Sequence, residues 1–312
     1  MLERMPTWKV TVEYDGSRYS GWQEQKNAPK TVMGALRDAI ESTLGVQAEL
    51  HGAGRTDAGV HALAQVLHVK GTPGQPVSPS RFRSAVNDAL GHDIAILAVE
   101  EVPERFHARH HAESRRYLYR ISLRKNAFAK RHVWWVKETL DESAMRNAAA
   151  MLPGRHDFTA FHADDPARPD ESPIVVVESA SLERTGEELQ FRIEASHFLW
   201  RMVRRLAGAL VQVGKGEFPL ADFAAALDGD VRYQDAISRF TAPAAGLYLE
   251  AVRYPADLNS VVKPSRKSPS GGVNTPVHRS RPSTGRGTPR KRSDVWRPDG
   301  PPKKNGRGKP HP

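Results

Sequence analysis

Asp57 stands in the run Gly52-Ala53-Gly54-Arg55-Thr56-Asp57-Ala58-Gly59-Val60-His61, a single carboxylate between a guanidinium and a glycine turn. That combination suits nucleophilic chemistry. A carboxylate can attack electron-poor carbon, glycines let backbone and substrate approach closely, and Arg55 can neutralise either the carboxylate or a phosphate. The same Thr56-Asp57-Ala58-Gly59 stretch is also an ordinary turn between two strands. The glycines form neither G-x-G-x-x-G nor a run ending in Gly-Lys-Ser/Thr, so dinucleotide and P-loop chemistry are not indicated. Histidines gather nearby, with His51, His61 and His68 around the Asp57 segment and His107, His110 and His111 further on. None makes H-E-x-x-H, and no carboxylate is read at a supporting spacing in the same element, so no metal or other cofactor is expected. His61 is read as fixing the loop through a hydrogen bond. Asp15 and Trp22 are read as organising the first strand and its loop.

The elements that must position Asp57 follow from periodicity. Trp8 to Tyr14 alternates as a strand does, and Val32, Leu36, Ile40 and Leu44 recur at helical spacing, with Thr31 as N-cap and Gly45 as stop. A strand over Leu63–Val69, a helix over Pro79–Leu90 and a strand over Ile94–Val99 complete a first half. The second half reads as a strand over Arg115–Leu123, a helix over Asp141–Leu152, strands over Ile174–Glu183 and Leu189–Glu194, and a helix over Phe198–Val213. In that last helix Leu199, Met202, Val203, Leu206 and Leu210 form the buried stripe, with Arg201, Arg204 and Arg205 on a neighbouring face. The alternation predicts an α+β protein of two halves, residues 1–104 and 105–258, followed by a tail over 259–312.

Charge sharpens that division. The chain carries a net +10, yet residues 259–312 hold 14 Lys or Arg against Asp294 and Asp299, while residues 1–258 hold 32 against 34 Asp or Glu. The basicity therefore belongs to the tail, which is rich in Pro, Gly and Ser and is expected to be disordered, serving either as an electrostatic arm for RNA or as a solvated extension. There is no cysteine, which excludes disulfides and thiolate chemistry. No apolar run approaches the length of a membrane span, and the N-terminal residues carry no apolar signal region, so a soluble cytoplasmic protein is expected.

Gly54-Arg55-Thr56-Asp57-Ala58-Gly59-Val60-His61-Ala62 closely resembles the signature of the tRNA pseudouridine synthase A (TruA) family. So do Glu13-Tyr14-Asp15-Gly16 through Gly21-Trp22-Gln23, Phe106-His107-Ala108-Arg109, Arg115-Arg116-Tyr117, Asp157-Phe158-Thr159-Ala160-Phe161, Met202-Val203-Arg204 and Gly246-Leu247-Tyr248-Leu249, in the family's order. The resemblance implies two ferredoxin-like (RRM-like) halves whose strands form one extended, mainly antiparallel sheet with a central cleft. It implies a homodimer that isomerises uridine to pseudouridine at positions 38–40 of the tRNA anticodon arm without a cofactor.

By the same resemblance Asp57 is the nucleophile, acting at ribose C1′ or uracil C6 on a flipped-out base. Arg204 pairs with it, Leu247 lines the pocket, and Tyr117 stacks on the base, its hydroxyl assisting removal of the C5 proton or positioning the water that does so. Arg55 fills the vacated space or holds a flanking phosphate. Read alone, Arg204 is a surface cation and Tyr117 and Leu247 are core residues. The clusters at Arg105 to His111 and Arg115-Arg116 are read as an RNA surface, or as solvated strand edges. An RNA-binding protein that has lost catalysis and a metal-dependent nuclease are the rival functions. The chain departs from the family pattern at Met33, at Ala64 and over residues 164–176. There Asp164, Asp165, Asp170 and Glu171 would repel phosphate, so this loop is expected to meet tRNA differently or not at all.

Overall fold

Burial on both faces of the sheet decides why the strands form where they do. The computed structural model describes residues 6–24, 30–45, 47–71, 76–166 and 168–258. Strand β1 (Thr7–Tyr14) is buried at most positions rather than at every second one. Its helix-side residues join the main core, and a smaller cluster of Ala53, Val66, Val102, Phe106, Ala108, Tyr254 and Leu258 covers the other face nearby. Adjacent residues Val66 and Leu67 fall into different clusters, as the pleat requires.

Helix α1 (Val32–Leu44) starts at Thr31, whose hydroxyl accepts from the Gly34 amide, and ends at Gly45 in the left-handed region, as its sequence predicts. Short β2 (Glu49–Gly52) leads into the Asp57 loop and β3 (His61–Lys70) leaves it. Then come α2 (Pro79–Ala89), capped by Ser78, and β4 (Ile94–Val102). The second half supplies β5 (Ser114–Ser122), β6 (Trp134–Trp135), α3 (Glu142–Ala150), β7 (Gly154–Asp157), β8 (Ile174–Thr185) and β9 (Glu188–Ala195). Helices α4 (Met202–Gly214), α5 (Leu220–Leu227) and α6 (Gln234–Arg239) precede the last strand, β10 (Leu247–Arg253).

The strands form one ten-stranded sheet in the order β4-β1-β3-β10-β5-β9-β8-β7, with β2 on β3 and β6 on β5. Pairing is antiparallel except at β10 with β3 and β5 with β6. The last strand of the chain therefore lies mid-sheet. Through Tyr248 opposite His61 and Leu247 opposite Tyr119, it joins the strand leaving the Asp57 loop to the strand bearing Tyr117. The α+β class and the mainly antiparallel sheet match expectation. No helix among the described residues is long and apolar enough to cross a membrane. The disorder expected for 259–312 lies outside the described residues.

Two differences from the sequence reading have local causes. The helix predicted from Phe198 begins only at Met202, because Arg201 adopts φ 60° and no side chain caps the first turn. Elements β2, β6, β7, β10, α5 and α6 do not emerge from the sequence pattern; most are too short to show a full period.

Candidate active site

The Asp57 segment folds as the turn its residues suggest. The Val60 amide donates to the Asp57 carbonyl at 3.1 Å, closing a tight turn in which Gly59 takes φ 78°. The turn is then tied down from three sides. Trp22 N–H donates to the Thr56 carbonyl at 3.0 Å, the Thr56 and Tyr14 hydroxyls meet at 2.8 Å, and His61 anchors the exit. His61 is almost fully buried. Its Nδ1 accepts from the Gly16 amide at 3.2 Å and its Nε2 lies 2.9 Å from the Arg131 carbonyl, so the neutral ring carries its proton on Nε2. Burial pushes the His61 pKa down although Asp15 opposes this. The fixing role expected for His61 is thus visible as bonds, and Asp15, accepting from Ser17 N and Oγ, does organise the loop after β1.

The Asp57 carboxylate is held at both oxygens. Arg204 donates from a terminal nitrogen to Oδ2 at 2.9 Å and Trp200 donates from Nε1 to Oδ1 at 3.1 Å. Arg204 is itself aimed by a second bond, Nε to the Ala242 carbonyl at 2.8 Å. That bond requires residues 240–242 to lie directly on α4, which Gly208 permits: a Cβ there would fall 1.7 Å from the Phe240 carbonyl oxygen. At the helix entrance Arg201, left-handed, stacks its guanidinium 4.7 Å from the Trp200 ring centre. A non-glycine residue in that region stores strain of order 1–3 kcal/mol, and here it orients the Trp200 and Arg204 side chains toward one carboxylate.

A cavity of about 490 Å³ opens over Asp57, with Arg55, Tyr117, Arg204 and Leu247 among its lining residues. All five residues singled out from sequence therefore meet in one place. Tyr117 is buried on β5 with Phe198 edge-on at 5.0 Å, and Leu247 is buried on β10. Burial pushes the Tyr117 phenol up to about 12, with Arg115 opposing and Asp57 adding to the rise. The hydroxyl stays protonated at neutral pH, so the ring offers a stacking face and a donor, not a phenolate base.

The mouth of the cavity is cationic. Arg55 and Arg109 are exposed there, and Arg168 joins them from the loop that departs from the family pattern. Burial, reinforced by repulsion from Arg168 and Arg55, lowers the Arg109 pKa, so the three guanidiniums lie within electrostatic reach of one another. Asp165 and Glu171 of that loop both pair with Arg168, and Asp165 lines the cavity with it. Trp200, Phe198, Arg168 and the Gly208 contact escape the sequence reading, since nothing in spacing links positions 143 residues apart such as Asp57 and Trp200.

Other sequence candidates resolve into structure. Phe106 is fully buried, and Arg116 pairs with Glu194 at 3.1 Å. Arg115 gives its donors to the carbonyls of Ala53, Arg109, Ala112 and Ser196. Burial and neighbouring imidazoles push His107 down to about 4, leaving it uncharged at pH 7. Arg205, expected beside Arg204 on the helix surface, is buried and bonds the His162 carbonyl and the Ser238 hydroxyl. Among the described residues two groups could hold a metal ion, Asp15-His61-His132 and Glu49-His51-His68, the latter using a carboxylate two residues from its histidine in β2, a spacing not recognised in the sequence. In each, Nδ1 of the buried histidine already accepts from a backbone amide, of Gly16 and of Ala108 respectively.

Comparison with known proteins identifies the family. The family described as "tRNA pseudouridine synthase" matches residues 10–111 and 148–255. The chain is 43% identical over 254 residues to tRNA pseudouridine synthase A of Maricaulis maris, covering 80% of this chain and 99% of the relative. To the protein of the same name from Allorhizobium ampelinum it is 42% identical over 260 residues, covering 82% and 97%.

Proposed function

Because the chain belongs to the tRNA pseudouridine synthase family, and so is an enzyme that isomerises uridine in tRNA, we propose that it acts at positions 38–40 of the anticodon arm with Asp57 as nucleophile. The observation that carries this is the carboxylate of Asp57 held from both sides by Arg204 and Trp200 at the base of a cavity walled by an aromatic ring. Such an arrangement fixes the attacking oxygen in place before the substrate arrives, which is where positioning lowers a barrier.

In this reading the target nucleotide leaves the RNA stem and enters the cavity, where uracil lies against Tyr117 and Leu247. Asp57 attacks ribose C1′ or uracil C6, the N1–C1′ bond breaks, the base turns and rejoins through C5, and the bond to Asp57 breaks to release the carboxylate. The C5 proton departs and N1 gains one, so the product is an isomer and no redox partner enters. Arg55 occupies the vacated space in the stem or grips a flanking phosphate, with Arg109 and Arg168 beside it. Each half of the sheet, 1–104 and 105–258, is a ferredoxin-like domain, a homodimer carries one tRNA across both subunits in the cytoplasm, and the basic tail adds salt-sensitive affinity.

The test is to incubate the protein with unmodified tRNA in EDTA and map pseudouridine by carbodiimide modification and primer extension, alongside Asp57→Asn. Product at 38–40 from the wild type and none from the variant is expected. Product that persists in the variant removes Asp57 from its role. Binding without product in the wild type would favour an RNA-binding protein, and EDTA-sensitive cleavage a nuclease.

A further inference from the structure

Between β5 and α3 the chain holds an apolar ring out into water among positive charges. Phe128 is 97% exposed, more than any other large hydrophobic residue described. Arg124, Lys125, Lys130 and Arg131 around it are exposed, and residues 123–137 contain no carboxylate. None of these four cations has an ion-pair partner among the described residues.

The segment is fixed in place. Asn126 Oδ1 accepts from the amides of Phe128 at 3.0 Å and Ala129 at 3.2 Å, shaping the tip. Its return limb is held by the bond from His61 Nε2 to the Arg131 carbonyl and by the Tyr248 hydroxyl donating to the His132 carbonyl at 2.8 Å. Val133 is buried beneath. The backbone that carries the exposed ring is therefore preorganised, and a partner that covers the ring has little backbone ordering cost to meet. His61 directly follows Val60, which lines the Asp57 cavity, so the loop stands beside the site.

We propose that residues 124–131 form a second RNA-docking surface outside the cavity, with Phe128 stacking on an unpaired base and the four cations neutralising adjacent phosphates. The inference rests on the reading of this chain as a tRNA enzyme. An aromatic ring offers its face to any base, and clustered Lys and Arg track the backbone, which is the combination single-stranded RNA requires. A two-fold contact between copies centred here would instead set these cations against their own equivalents, which like-charge repulsion opposes.

The test uses the full chain and unmodified tRNA, with Kd measured against salt concentration. Phe128→Ala should weaken binding about fivefold or more, the loss of one stacked base. Lys125→Gln with Lys130→Gln should flatten the slope of log Kd against log salt by about 1.4, near 0.7 for each phosphate no longer neutralised. Turnover at saturating tRNA should be unchanged. A photoreactive benzoylphenylalanine at position 128 should crosslink to RNA. Unchanged Kd and salt slope, or a protein–protein adduct in place of an RNA adduct, would overturn the proposal. Wild-type enzyme that binds tRNA without isomerising it would remove the parent reading, while the affinity and crosslinking results would still decide the docking surface.

Discussion

Replacing Trp200 with Phe asks whether the Asp57 carboxylate must be aimed as well as paired. The change deletes the Nε1 donor to Oδ1 at 3.1 Å but keeps an aromatic face for the Arg201 guanidinium, 4.7 Å from the present ring centre. A hydrogen bond to a charged group contributes about 1.5–3 kcal/mol. The Asp57 side chain is 28% exposed, so water can partly replace the donor and the lower end applies. About 1.5 kcal/mol corresponds to roughly a tenfold fall in kcat/KM. The assay is release of tritium from tRNA carrying [5-³H]uridine, since the C5 hydrogen must leave for the product bond to form. Melting temperature should move by no more than a few degrees. Arg204→Gln removes the other bond to the same carboxylate, so the double variant should lose less than the product of the two single losses. A Trp200→Phe enzyme with wild-type kcat/KM, or strictly multiplicative losses, would refute the idea that the two donors act together on one oxygen pair.

Tyr117→Phe should retain most activity and leave the rate profile between pH 6 and 9 unchanged, because a phenol pushed up to about 12 does not titrate there; Tyr117→Ala should lose the stacking face and most of kcat/KM. Gly208→Ala drives a Cβ to 1.7 Å from the Phe240 carbonyl oxygen, so the backbone there must shift and both kcat and melting temperature should fall as Ala242 moves away from Arg204, whereas Gly214→Ala, which meets the flexible Met145 side chain, should leave kcat nearly unchanged. Burial depresses His68 to about 3, below the ordinary imidazole value. The unfolded chain therefore binds this proton first, and stability present above about pH 6.5 is lost as pH falls toward 3. The slope is at most about 1.4 kcal/mol per pH unit for this group. Thermal melts of His68→Asn, which keeps an acceptor for the Ala108 amide, should show a shallower acid dependence than the wild type.

Much of the local structure and the residue types of the site are legible in the chain of amino acids alone. Periodicity placed α1, α2, α3 and the long strands, because each buries one face or carries a cap that depends only on its neighbours: Thr31, Gly45 and Asp141 act within a few residues. The Asp57 turn is equally local, closed by Gly59. Chemistry was legible too, since a carboxylate flanked by arginine and glycine, met again with Tyr117 and Arg204 in a recurring order, marks a family. The cavity was not legible, because it exists only where chain-distant groups meet. Trp200 reaches Asp57 because Arg201 turns left-handed. Arg204 points at it because the Phe240 backbone fits against Gly208, and Leu247 faces it because the last strand is inserted mid-sheet beside β3. The loop over 164–176 divides the same way: Asp165 and Glu171 each pair with Arg168 across three residues, a local contact, and only the fold brings Arg168 to the cavity that holds Asp57. Hydrogen bonds and close packing depend on distances of a few ångströms, and a linear spacing does not encode which distant segments will share them.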